Sequence, residues 1–136
     1  MSEPIRVLAI DDEVDYLKSL KRVLSRRGFQ VDTANSGKSA LAILEKSQFD
    51  CVLLDLNMPG MDGLATLSEL RRRDRLTPVL LLTGRGEIPS VLSALKGGSE
   101  GFLAKPCSVE ELVSAIEDAS ERKALSRAYE SNRKPR

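Results

Sequence analysis

The sequence predicts a doubly wound α/β fold, a five-stranded parallel sheet covered by helices on both faces. Three observations lead there. Short apolar runs alternate five times with amphipathic helical patterns along 136 residues. The runs are apolar throughout rather than every second residue, as in strands buried on both faces. Acidic and basic side chains collect just after those runs, and in an open parallel sheet that is the end where ligands bind.

The elements follow in order. Ile5 to Ile10 is the first strand, rich in Val, Ile and Leu. Val14, Leu17, Leu20, Val23 and Leu24 then recur at helical spacing, and Arg26, Arg27 and Gly28 end that helix. Phe29 to Ala34 is the second strand, after which Ser36 caps a helix bearing Leu41, Ile43 and Leu44. Cys51 to Leu54 is the third strand, Asn57-Met58-Pro59-Gly60 a loop, and Leu64 to Arg73 the third helix. Thr77 to Thr83 forms the fourth strand, and Pro89 opens a helix that Gly97-Gly98 closes. Phe102-Leu103-Ala104 is a short fifth strand. Ser108 and Glu111 make a capping box for a last helix lined by Val109, Leu112, Val113 and Ile116. The main domain is expected at 1–120. Residues 121–136 are expected to be a charged helix extension or linker, since the stretch from Asp118 holds six Lys/Arg against three Asp/Glu.

Composition narrows the function. At 41% hydrophobic and 30% charged residues the chain is one ordinary globular domain. A net charge of +1 provides no field for recruiting nucleic acid or anionic membrane, and neither is expected as a direct partner. With no histidine, Ser-His-Asp and Cys-His catalysis, histidine metal sites and a phosphohistidine carrier role are excluded. Cys51 and Cys107 make no disulfide framework, and Cys51 reads as a small buried hydrophobe. No signal peptide or membrane span is visible, so a soluble, reduced, cytoplasmic protein is expected.

The chemistry lies at the strand ends. Asp11, Asp12 and Glu13 follow strand one, Asp55 strand three, Thr83 strand four and Lys105 strand five, whereas strand two ends in uncharged Ala34 and Asn35. This fits strand order 2-1-3-4-5, with strands one and three flanking the point where the winding reverses, as in flavodoxin. Singly, Asp11 or Asp12 could be a helix cap, Asp55 an Asx turn and Lys105 a surface lysine. Jointly, the fold brings three carboxylates, a hydroxyl and an ammonium to one rim. Clustered carboxylates repel unless a cation neutralises them, and an oxygen-only, partly open site suits Mg²⁺. Between metal and ammonium, Asp55 is placed to attack phosphorus and form an acyl phosphate. The metal, Lys105 and Thr83 would then neutralise the transferring group.

Four motifs in order carry a family resemblance: Asp11-Asp12, D-L-N-M-P-G-M-D-G at 55–63, L-L-T-G at 81–84 and G-F-L-A-K-P at 101–106. Over roughly residues 5 to 120 the chain resembles the receiver domain of bacterial two-component response regulators, a (βα)5 flavodoxin-like sandwich. The resemblance implies a phosphoacceptor switch rather than a turnover enzyme. Asp55 would accept a phosphoryl group from a sensor histidine kinase or histidine phosphotransfer protein. Asp12, Asp55 and the backbone carbonyl of Asn57 would hold Mg²⁺, with Asp11 nearby, partly through water. Lys105 would pair with the Asp55 carboxylate and then with the phosphate. Thr83 would turn toward the phosphoryl oxygen and Phe102 inward behind it, altering the surface of the fourth helix, fifth strand and fifth helix. The Lys105-Pro106 bond would be cis. The signal would pass to a downstream protein or to an output domain absent from this chain, with homodimer formation left open. Cys107 departs from the aromatic that often follows Lys-Pro, which reads as a packing change. Asn57 and Arg85 occupy positions that tune acyl-phosphate lifetime in the family. The stretch T-G-R-G-E-I-P at 83–89 is similar to that of receivers in nitrogen-regulation-type activators.

Other classes fit worse. A haloacid-dehalogenase-type hydrolase needs a second Asp two residues after its nucleophile, where this chain has Asn57. A flavin carrier cradles phosphate in a Ser/Thr/Gly loop after strand one, where this chain has Asp-Asp-Glu. A degenerate receiver that is never phosphorylated would be missing some of the chemical positions, and here all are filled.

Overall fold

A computed structural model describes the backbone of residues 3–56, 63–74, 76–84, 101–105 and 107–133. The strands are β1 (Arg6–Ile10), β2 (Gln30–Ala34), β3 (Cys51–Asp55), β4 (Val79–Thr83) and β5 (Gly101–Ala104). The helices among the described residues are α1 (Val14–Arg26), α2 (Gly37–Lys46), α3 (Gly63–Arg73) and α4 (Val109–Arg133). The sheet has the expected order, β2-β1-β3-β4-β5, with every pair parallel. The helix expected between Pro89 and Gly97 and the Asn57–Gly60 loop lie outside the described residues.

Side chains along each strand alternate between two cores. Val7, Ala9, Leu53, Leu80 and Leu82 pack with Leu17, Leu20 and Leu24 of α1 and with Leu112, Val113 and Ile116 of α4. Leu8, Ile10, Val52, Leu54, Val79 and Leu81 pack with Ala40 of α2 and with Leu67 and Leu70 of α3. Helices on both faces explain why the strands carry no polar alternation.

Local chemistry sets most of the boundaries. The Ser36 hydroxyl accepts the Ser39 amide at 3.1 Å and starts α2. Ser108 and Glu111 exchange reciprocal bonds, the Glu111 amide to Ser108 Oγ at 3.0 Å and the Ser108 amide to Glu111 Oε1 at 3.1 Å. Helix α1 closes through Gly28, whose φ of 94° is a left-handed conformation costly for any residue with a Cβ. Neither Asp11 nor Asp12 is the N-cap of α1. That position is Glu13, whose side chain makes no capping bond, while its amide donates to Asp11 Oδ1 at 3.0 Å. Asp11 thus meets the N-cap residue of α1 through its Oδ1 without itself capping the helix.

Helix α4 continues as one helix to Arg133, through the charged stretch. Within it Lys123 is buried under the opposite end of the sheet, where its ammonium donates to the Phe49 carbonyl and to Thr77 Oγ1. Burial, with Arg127 adding, pushes its pKa below 10.5 against the opposing charges of Asp74 and Asp50.

Candidate functional site

Parallel register brings the polar strand ends together. Ile10 pairs with Leu54, so the turn after β1 lies beside the end of β3, and Asp55 pairs in turn with Leu82 of β4. Thr83 pairs with Ala104, setting Lys105 just beyond β5 on the same rim. The order β1-β3-β4-β5 therefore places the carboxylates centrally, at β1 and β3, and the ammonium beyond β5, with β4 between.

One oxygen each of Asp11, Asp12 and Asp55 lies within 4.8 Å of the other two. Asp11 and Asp55 are buried at 2% and 7% exposure, and Asp12 is exposed, so the cluster has a floor and an open mouth. Three carboxylate donors this close, one open to water, match the all-oxygen, partly hydrated coordination of Mg²⁺.

Lys105 supplies the counter-charge. Its ammonium forms an ion pair with Asp11 Oδ2 at 2.6 Å and lies 4.5 Å from the centre of the Tyr16 ring. Burial alone would lower the Lys105 pKa. The Asp11 hydrogen bond and charge outweigh it, with Asp55 and Tyr16 adding, and hold the group above 10.5. Lys105 is therefore a fixed cation at any physiological pH. Its ion-pair partner is Asp11, where the sequence pattern led us to expect Asp55, which acts on Lys105 through its charge.

Phe102 on β5 is 46% exposed, an outward ring beside the site rather than core packing. Thr83 ends β4 as expected, while its hydroxyl, Asn57, Arg85 and Pro106 lie outside the described atoms. Cys51 is fully buried. Cys107 packs at the edge of the α1–α4 core, and burial with the nearby Glu111 pushes its thiol up, away from the reactive thiolate. Tyr16 beside Lys105 was not singled out in the sequence, and Gly63 beside Asp55 stood there only as the last residue of the 55–63 motif. Tyr16 carries a faint signal, five residues after Asp11 and so on the first turn of α1.

The profile of the response regulator receiver domain matches residues 7–117. The chain belongs to that family. This receiver is 36% identical over 123 residues to the transcriptional regulatory protein TcrA of Mycobacterium tuberculosis, covering 90% of this chain and 49% of TcrA. It thus spans about half the length of that relative. Among solved structures, a receiver domain protein from Clostridium thermocellum superposes with a TM-score of 0.85 at 33% identity, over 89% of this chain and 98% of that one. NtrX from Brucella abortus superposes with a TM-score of 0.89 at 32% identity, over 96% of this receiver and 30% of NtrX. No helix among the described residues is long and apolar enough to cross a membrane.

Proposed function

We infer that this receiver is a phosphoacceptor switch in which Asp55 takes a phosphoryl group from a phosphohistidine on a partner kinase or phosphotransfer protein. The observation that carries the reading is the acidic cluster of Asp11, Asp12 and Asp55 with the Lys105 ammonium held against it. The phosphohistidine of this reading lies outside the 136 residues, which contain no histidine.

Asp11, Asp12 and Asp55 would hold Mg²⁺, with the Asn57 carbonyl completing the protein donors. When bound, the metal neutralises the cluster and screens the incoming phosphoryl oxygens. A carboxylate oxygen of Asp55 attacks phosphorus. The new O–P bond forms as the P–N bond of the donor breaks, and the imidazole leaves with that electron pair and takes up a proton. Asp55 is left as an acyl phosphate. Lys105 neutralises an equatorial oxygen, and Thr83 supplies a hydroxyl to another.

The product places new negative charge at one end of the sheet. Thr83 would be drawn toward it, and the exposed ring of Phe102 would turn inward behind it. The surface that includes β5 and α4 is thereby re-shaped, a population shift biased by a charge-changing modification. A downstream protein or an output domain reads that surface.

Trapping the acyl phosphate tests the assignment. After incubation with acetyl phosphate and Mg²⁺, borohydride should convert residue 55 alone to homoserine, as read by peptide mass. Conversion at another aspartate would overturn the role of Asp55.

A further inference from the structure

We propose that Tyr16 is a positioning residue for Lys105, its ring face holding the ammonium over the acidic cluster. The proposal rests on the phosphoacceptor reading and adds to it the group that fixes its cation. Lys105 has a long flexible stem and sits beyond the last residue of β5, with its side chain 20% exposed. Such a lysine loses its aim easily, since an ammonium is a point charge with no preferred plane. Two contacts restrain it, Asp11 Oδ2 at 2.6 Å and the Tyr16 ring at 4.5 Å from its centre. That distance is within the range of a cation–π contact.

The two restraints differ in a way that matters. Asp11 also belongs to the cluster that would hold a divalent cation, so its grip on the ammonium weakens as that cluster fills. The ring is indifferent to that exchange. Tyr16 is anchored independently, because it packs against the α1–α4 core, as Leu103 and Cys107 also do. Its phenol also stays neutral. Burial pushes its pKa above 10, with Cys107, Asp11 and Asp55 adding and Lys105 opposing, so the ring face and not a phenolate meets the cation. Tyr16 thus keeps Lys105 at the acidic cluster while the grip of Asp11 loosens.

The test uses the full chain and two variants. Tyr16→Phe keeps the ring, and Tyr16→Leu keeps the apolar packing without it. NMR of the Lys105 side chain should show an upfield ring-current shift of the Hε protons in wild type and Tyr16→Phe, retained through a Mg²⁺ titration. In Tyr16→Leu that shift should be absent. With acetyl phosphate, the maximal rate of Asp55 phosphorylation should fall about five-fold in Tyr16→Leu and stay within about two-fold of wild type in Tyr16→Phe. Lys105 protons without a ring shift in wild type, equal rates in the three proteins, or a Phe variant as slow as the Leu variant would each overturn the proposal. A wild type that gains no phosphoryl group would refute the phosphoacceptor reading instead. The contact itself would still be decided by the Lys105 shifts.

Discussion

Lys105 cancels one of three clustered negative charges, and for the same reason it opposes any divalent cation that enters. Removing it should therefore separate two properties that normally travel together. Lys105→Ala is expected to bind Mg²⁺ about five-fold more tightly, on the order of 1 kcal/mol for one unit charge removed near a protein surface. Its phosphorylation should nonetheless be slower, because the transferring group loses a counter-charge. Tyrosine fluorescence against Mg²⁺ concentration would read the first effect, and weaker binding than wild type would contradict it. Gly63 limits the site from another direction. Its amide donates to the Leu56 carbonyl at 3.2 Å, folding the start of α3 back onto the end of β3. A Cβ there would lie 2.4 Å from Leu56 Cα and 2.6 Å from the Asp55 carbonyl oxygen, both backbone atoms that cannot step aside. Gly63→Ala should cost about 1–3 kcal/mol or more and displace Asp55. A loss below about 0.5 kcal/mol in urea denaturation would show that the approach is looser than this.

Individual elements were legible in the sequence where their causes are local. Ser36 and the Ser108–Glu111 box start α2 and α4 because each cap is satisfied within three residues. Strand starts shifted where a neighbour intervenes. β4 begins at Val79 rather than Thr77, because the Asp74 carboxylate claims the Leu76 amide at 2.9 Å and the Thr77 amide at 3.2 Å. Burial alone would raise the Asp74 pKa. Bonds from the Thr77 hydroxyl and from both amides outweigh it, with the Lys123 charge adding, and hold the group below 3.8. A depressed carboxyl stabilises the fold fully above its unfolded value and ceases to do so as pH falls through the folded one. Asp74→Ala should accordingly cost about 1 kcal/mol at neutral pH, with the deficit shrinking once pH drops below 3.8. Thermal melts of both proteins from pH 6 down to about 2.5 would check this, and a deficit that grows toward acid would contradict it. Lys123 was illegible for the opposite reason. In a charged stretch a lysine reads as solvent-facing, and only the unbroken course of α4 carries it back beneath the sheet.

At the scale of the whole molecule, the parallel sheet does the assembling. Asp11, Asp12, Asp55 and Lys105 were readable as a site because each lies at or just past the end of a strand, Asp55 being the last residue of β3, and parallel strands deliver their ends to one rim. Tyr16 was not readable, since its meeting with Lys105 depends on how α1 packs relative to the turn after β5, a contact across 89 residues of sequence. Residues joined only through tertiary packing leave no spacing to recognise. The receiver spans about half of TcrA, so what reads its surface is a matter for partners or for further chain. The central claim concerns Asp55 and the cation its cluster would hold, and intact mass after incubation with acetyl phosphate tests it most directly. Wild type with Mg²⁺ should gain a single phosphoryl group, whereas wild type in excess EDTA and Asp55→Asn with Mg²⁺ should gain none. A phosphoryl adduct that persists in EDTA or on Asp55→Asn would contradict the account.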